Sequence, residues 1–437
     1  MRQFFLWVCV FNLIAMLGAG ADAAHPGLRR ACIEPSLVSV PPSGTQEFKV
    51  ILDPTLQAKA GAAGLQQAEA YVPAGVSWSV NGIAGGDDGV GHISPDGKYV
   101  APANLPAQHE IHICATVPDA VNPLVRGTVV LGGLPIQYHS VGGWAEPIDK
   151  SSGRTSHFAY PHGIGLDGDG NLLIADEKMN RVMRFTADGQ YLGLVGEEGQ
   201  FFEPKIVAVD HTGRICVSDM HPSRPRLQIF DASGKFLFSF APGGQETGLL
   251  RPHGIGFDPQ DRLFVVDVDR LRVNAYNPKG EPLFHWGREG VAPGEFNAPH
   301  GLVVDQNGEV FVNNYFGPIQ KFGADGAFVL SFSHGNPPKG PLYFHNITGD
   351  QWGNVYTSVR CEGGYAGAYL EDGSLISVAK YNNNGSFITG FPLSGKRSET
   401  SVAVGKDGRV YALFVSETEM GVECFEEGYD DSLRRKP

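Results

Sequence analysis

One unit recurs six times through the C-terminal part of the chain, and a repeat of that length restricts the possible architecture more than any other feature. It begins Pro161-His162-Gly163-Ile164-Gly165-Leu166-Asp167, then Pro204-Lys205-Ile206-Val207-Ala208-Val209-Asp210 and Pro252-His253-Gly254-Ile255-Gly256-Phe257-Asp258. It continues with Pro299-His300-Gly301-Leu302-Val303-Val304-Asp305, Phe344-His345-Asn346-Ile347-Thr348-Gly349-Asp350 and a degenerate Glu399-Thr400-Ser401-Val402-Ala403-Val404-Gly405. The second residues of successive units are 43, 48, 47, 45 and 55 positions apart. Each unit has room for four short strands, and that period with that content is the signature of propeller blades. In the first unit the strands read as Ile164–Leu166, Asn171–Ala175, Arg181–Phe185 and Tyr191–Val195, with tight turns at Asp169-Gly170 and Asp188-Gly189. The 58 Gly and 30 Pro of 437 residues recur at regular intervals, as many short strands separated by turns require.

A propeller must close its ring or leave an open sheet edge. The last unit has strands near 401–404, 409–415 and 421–425 but lacks a fourth. The segment Ile136-Gln137-Tyr138-His139-Ser140-Val141-Gly142-Gly143-Trp144 has the pattern of an outer strand yet precedes the first unit. The expectation is an all-β protein whose six-bladed β-propeller spans 135–428 and is closed by this N-terminal strand. Upstream, residues 32–133 alternate apolar and polar positions in short runs such as Phe48–Leu52, Val76–Val80 and Ile111–Ala115, which reads as a β-sandwich. The stretch Trp78-Ser79-Val80-Asn81-Gly82 through Gly91-His92-Ile93-Ser94 to Gly97-Lys98-Tyr99-Val100-Ala101-Pro102 resembles a bacterial Ig-like domain, with Trp78 as a core anchor. The resemblance implies a spacer or adhesion unit.

Residues 1–23 combine Arg2, an apolar run from Phe4 to Leu17 and Ala21-Asp22-Ala23, the three parts of a signal peptide. A secreted, periplasmic or cell-surface location follows, with no membrane span, since the apolar run is too short and no later one is longer. The formal net charge of −13, with basic residues clustered only at Arg434–Lys436 in the charged tail 429–437, argues against a nucleic-acid partner. After removal of Cys9 with the leader, five cysteines remain, an odd number. An oxidising compartment permits Cys32 to pair with Cys114 and Cys361 with Cys424; all five as buried thiols is the other reading.

Ala175-Asp176 followed by Asn180-Arg181-Val182, and Val266-Asp267 followed by Arg272-Val273, resemble the NHL repeat. Successive strands alternate in direction, so the connections leading into each innermost strand gather on one face. His162, His253, His300 and His345 are therefore expected near the propeller axis on that face, whereas His92, His109 and His112 fit no ligand pattern. Three imidazoles from alternate blades, His162, His253 and His345, suit a zinc ion with an open position. Here the residues resemble peptidyl-α-hydroxyglycine α-amidating lyase, which implies zinc on those three histidines, with His300 as a fourth inward imidazole. The chain departs from that family at the loop Asp219-Met220-His221-Pro222, where an Arg and a Tyr are used, and at Asn346, where the family has Asp. Tyr315 and Arg360 are the candidate catalytic residues that this chain offers instead. A fifteen-residue, Gly-rich connection from Arg360 to Ser374 borders the same channel mouth.

Two functions follow. One is a secreted binding scaffold that recognises a protein, peptide or glycan on this face, with or without a histidine-bound metal. The other is a zinc-dependent lyase or hydrolase. A histidine at the start of an inner strand can also simply hydrogen-bond a neighbouring loop.

Overall fold

The computed structural model describes residues 30–53, 75–106, 109–118, 120–132, 136–220, 223, 225–240, 248–333, 342–361, 368–369, 375–395 and 398–428. The expected leader and the charged tail lie outside them. The described residues form strands and turns without an α-helix, and none of their elements is a helix long and apolar enough to cross a membrane.

Each repeat unit folds into one four-stranded antiparallel meander. The first comprises Pro161–Leu166, Leu172–Asp176, Arg181–Phe185 and Tyr191–Val195, called strands a to d from the inside outward. The next four units repeat this arrangement, with inner strands Pro204–Val209, Pro252–Phe257, Pro299–Val304 and Leu342–Gly349. The sixth sheet draws three strands from the end of the chain, Ser398–Val404, Val410–Val415 and Glu419–Gly428. Its outer strand, Gln137–Pro147, comes from before the first unit and pairs antiparallel with Glu419–Gly428. The six inner strands touch in cyclic order, the sixth returning to the first.

The physical cause of this ring is apolar burial on both faces of every sheet. Six clusters lie one between each neighbouring pair: Leu173, Val207 and Val217 join the first two sheets, and Ile164, Leu172, Leu413 and Val422 join the sixth to the first. Each fully buried aliphatic or aromatic side chain contributes about 1.5–3 kcal/mol. A sheet without both neighbours would expose half of that surface.

The turns between strands a and b repeat one device. Asp167, Asp210, Asp258, Asp305 and Asp350 each accept, on one carboxylate oxygen, the N–H groups two and four residues ahead. In the sixth unit Gly405 stands at this position.

Beside a two-stranded sheet that pairs Arg30–Glu34 with Lys49–Asp53, the N-terminal module has two larger sheets about one core. One is ordered Leu37–Val40, Leu124–Leu131, Glu110–Thr116, Ser77–Val80 and Ile83–Ala84; the other is Thr45–Glu47, Lys98–Val100, Gly91–Ile93 and Gly86–Asp87. Phe48, Val50, Trp78, Tyr99, Ile113 and Val129 fill the space between them. The expected disulfides are absent: Cys114 and Cys424 carry free thiols, as does Cys216, so neither the Cys32–Cys114 nor the Cys361–Cys424 bridge forms.

This module is no free spacer. It packs on the face formed by the a–b and c–d turns, where Arg126 Nη2 donates to Gln306 Oε1 at 2.6 Å and Asn307 Nδ2 to the Leu124 carbonyl at 2.8 Å. His112 stacks on Trp352 with ring centroids 4.6 Å apart. Two buried ion pairs cross the seam: Arg30 joins Glu309, which also holds Lys321 at 2.6 Å, and Glu110 joins Lys380.

Candidate functional site

The four repeat histidines begin their inner strands on the face opposite the N-terminal module. For three of them, a buried residue at the end of strand b fixes the connection that presents the histidine. Asp267 accepts the N–H groups of Leu250 and Arg251 at 3.0 Å each, just before Pro252-His253. Asp176 accepts those of Ala159 and Tyr160 ahead of His162, and Asn314 those of Asn297 and Ala298 ahead of His300. The glycine after the histidine has its own cause. A Cβ on Gly254 would come 2.6 Å from the Leu302 nitrogen and 2.7 Å from the His300 carbonyl, so neighbouring inner strands can approach this closely only past glycine.

The four imidazoles gather into one cluster. His162 lies 5.1 Å from His253, 5.3 Å from His345 and 6.3 Å from His300, centroid to centroid. His300 is 3.8 Å from His253 and 4.7 Å from His345. His300 is therefore part of the cluster and bridges two of the three alternate-blade histidines. Its Nδ1 lies 2.5 Å from the His345 carbonyl, which can only accept, so Nδ1 carries a proton in that bond.

His253 is 3% exposed, and its Nδ1 has no hydrogen-bond partner among the described residues. Burial first, and then the neighbouring imidazoles and Lys205, hold its basicity well below the usual histidine value, so the ring is neutral at physiological pH. Neutral imidazole is the form that donates to a metal ion. The donor chemistry thus fits zinc. The arrangement is not yet a metal cage, however: among the described residues no three His, Cys, Asp or Glu side chains converge their donor atoms on one metal-sized point. The rings would have to turn about their side-chain bonds to do so.

Tyr315 joins this cluster, its ring 5.7 Å from His300 and 6.0 Å from His345. Phe316 and Tyr343 extend it outward as an aromatic wall, at 4.8 and 5.7 Å from Tyr315. The backbone of Arg360 pairs with Tyr343 beside the same mouth, while its side chain is outside the described residues, as are His221 and Pro222. Most of the Arg360–Ser374 connection is also outside them. Its described part pairs Ala368–Tyr369 with Leu375–Ile376 as a small hairpin, and the third strand of that sheet begins at Val378 instead of Leu375. Asn346 is committed to structure, donating from Nδ2 to Ser401 Oγ at 2.6 Å across the seam between the fifth and sixth sheets.

Sequence reasoning overlooked Lys205. It occupies the second position of its unit, where four other units place histidine, is buried, and pairs with Glu177 from the first sheet. The repeat alignment contained the signal, since Pro204-Lys205 falls in register with Pro161-His162.

Residues 158–185 match the NHL repeat family. Peptidyl-glycine alpha-amidating monooxygenase A of Xenopus laevis is 29% identical over 211 residues, covering 43% of this chain and 21% of that protein. Peptidyl-alpha-hydroxyglycine alpha-amidating lyase 2 of Drosophila melanogaster is 26% identical over 172 residues, covering 36% of this chain and 40% of the fly protein. A solved structure of a Xanthomonas campestris gluconolactonase has 14% sequence identity and a TM-score of 0.46, covering 67% of this chain and 98% of that one. The alignments span from 12% to 48% of the length of the curated relatives. The chain is thus an all-β protein that carries an NHL repeat and is homologous to NHL-containing and amidating-lyase-like propeller proteins.

Proposed function

We propose that this chain is an exported six-bladed propeller with an Ig-like module on one face and a zinc-dependent lyase or hydrolase site on the other. The observation that carries the reading is the convergence of His162, His253, His300 and His345, with ring centroids between 3.8 and 6.3 Å apart, from four different sheets. Burying His162 and His253 against the half-buried His300 and His345 costs solvation, and a shared ligand is the usual compensation. His162, His253 and His345 would hold the ion, with His300 as a fourth donor or a neighbour of the open position.

A bound zinc ion would lower the pKa of coordinated water and polarise a substrate oxygen. The chain's own residues would do the rest. Tyr315 lies within reach of the His300–His345 side and can relay a proton through its hydroxyl. The aromatic wall of Phe316 and Tyr343 would hold the substrate's apolar part, and the Lys205 ammonium would favour a substrate carboxylate. The amidating-lyase relatives support an α-hydroxyglycine-terminated peptide as the first substrate to try. A second reading, a scaffold that captures a protein, peptide or glycan on this face without turnover, draws on the exposed Phe316, Tyr160 and Phe202 around the mouth and on the unconverged donor atoms.

Elemental analysis of untagged protein purified without chelators, beside the His253→Ala variant, tests the metal site. About one zinc per chain in the parent and little in the variant is expected. Metal in neither, with zinc offered back, would leave the enzyme reading without its ion and favour the scaffold. Turnover is then measured as glyoxylate release from an α-hydroxyglycine peptide.

A further inference from the structure

On the opposite face, where the N-terminal module meets the fifth and sixth sheets, a cavity of about 410 Å³ lies between His112 of the module and the turns Asp350–Trp352 and Gly405–Arg409. That volume is within the range of small-molecule sites. Its inner wall is a continuous polar network. Glu427 accepts the N–H groups of His109 and Glu110 at 3.3 and 3.2 Å, and Glu110 in turn holds Lys380. Lys380 Nζ is 3.1 Å from the Tyr138 hydroxyl, which lies 3.1 Å from that of Tyr356, which donates to Asp350 at 3.1 Å.

The charges of this network do not balance. One ammonium, Lys380, faces three carboxylates, Glu110, Glu427 and Asp350, while burial keeps His112 neutral by pushing it down to about 3. The buried Arg126 of the module also acts on His112 and donates to the neutral Gln306, and at the mouth Arg409 is shared between Glu426 and Asp407 with Lys406 beside it, so the carboxylates nearest Lys380 still outnumber the cations by one. Excess negative charge in a poorly solvated place is costly and is relieved by a proton or by a cation. Burial and the adjacent Glu110 raise the affinity of Glu427 for a proton, the same demand for positive charge seen from the carboxylate's side. The aromatic wall that can take an organic cation is Trp352, which lines the cavity; Tyr138 and Tyr356 already carry Lys380 at 5.5 and 5.2 Å from their ring centroids, and Tyr138 is stacked on Phe391.

We propose that this cavity between the N-terminal module and the propeller is a second binding site that takes a small organic cation, a primary ammonium or guanidinium compound, held by Glu427 and by Trp352, whose other ring face is stacked on His112. The site is independent of the imidazole cluster, on the other side of the ring.

Isothermal titration of the full chain with agmatine, and with butyrate as an anion of similar size, tests it. Saturable binding of agmatine with none of butyrate is expected. Glu427→Gln and, separately, Trp352→Leu should each weaken it at least tenfold, while His253→Ala leaves it unchanged; circular dichroism establishes that the variants are folded. No saturation by agmatine, equal binding of butyrate, or unchanged affinity in both cavity variants would overturn the proposal. Displacement of agmatine by calcium at equal concentration would also overturn it, by making the site one for a metal ion.

Discussion

Buried histidines set the behaviour of this protein at the scale of single residues. His253 in the imidazole cluster and His112 at the module seam are both held neutral by burial. A histidine whose folded-state pKa lies below its unfolded value takes up a proton only on unfolding as pH falls. Stability is therefore undiminished above the unfolded value near 6.5 and declines below it, by about 1.4 kcal/mol per pH unit for each such residue. Buried carboxylates with raised values, Asp176, Asp219 and Asp305, act in the opposite direction, but chiefly toward more acid pH. Urea unfolding at pH 7.5, 6.5 and 5.5 should show the decline, and His112→Phe, which keeps the stack on Trp352, should remove about half of the part due to these two residues. An unchanged slope in that variant would mean His112 is not held neutral. The four repeat histidines were legible in the sequence because their positions recur. Lys205 was not singled out, because its departure from the repeat gave no reason to expect it among the imidazoles.

At the scale of the element, the repeat encodes two carboxylate devices, and they do different work. The aspartates that close the a–b turns serve local chain reversal, and their pattern is visible within five residues. Asp176, Asp219 and Asp267 at the ends of strands b accept N–H groups from the connection into their own sheet, 16 or 17 residues earlier. Asp176 and Asp267 therefore hold in place the loops that present His162 and His253, and Asp219 the loop that presents Lys205. Asp267→Ala should cost about 2–3 kcal/mol by leaving two backbone donors unpaired. It should also weaken any metal or ligand held by His253, whereas Asp267→Asn retains an acceptor and most of both. Thermal unfolding of the two variants side by side, with metal content measured on each, distinguishes positioning from a merely local loss. The outer strands of the first sheet could be placed to within a residue from alternation and turn residues. The hairpin in the fifth sheet's long connection could not, because its short strands carry no periodicity.

For the whole molecule, the decisive interactions join parts distant in the chain. Glu110 and Lys380 are 270 residues apart and meet fully buried at the seam between the module and the fifth sheet. Removing one partner leaves an unpaired buried charge. Lys380→Met alone should therefore destabilise by about 3–5 kcal/mol, and Glu110→Leu with Lys380→Met together by much less than the sum of the singles. Additive losses in a denaturant double-mutant cycle would show that the pair is not coupled. The sequence by itself determined the all-β class, the repeated four-stranded sheets and the face on which the histidines begin their strands. These follow from strand alternation, turn residues and period, which are local properties. The tertiary structure decided that His300 bridges the cluster, that Lys205 stands beside it and that Asn346 is spent across a seam. It also decided that the N-terminal module is docked against the propeller, with a polar cavity between them. Those outcomes depend on ring closure and on which charges meet in a low-dielectric interface, and no window along the chain contains both partners.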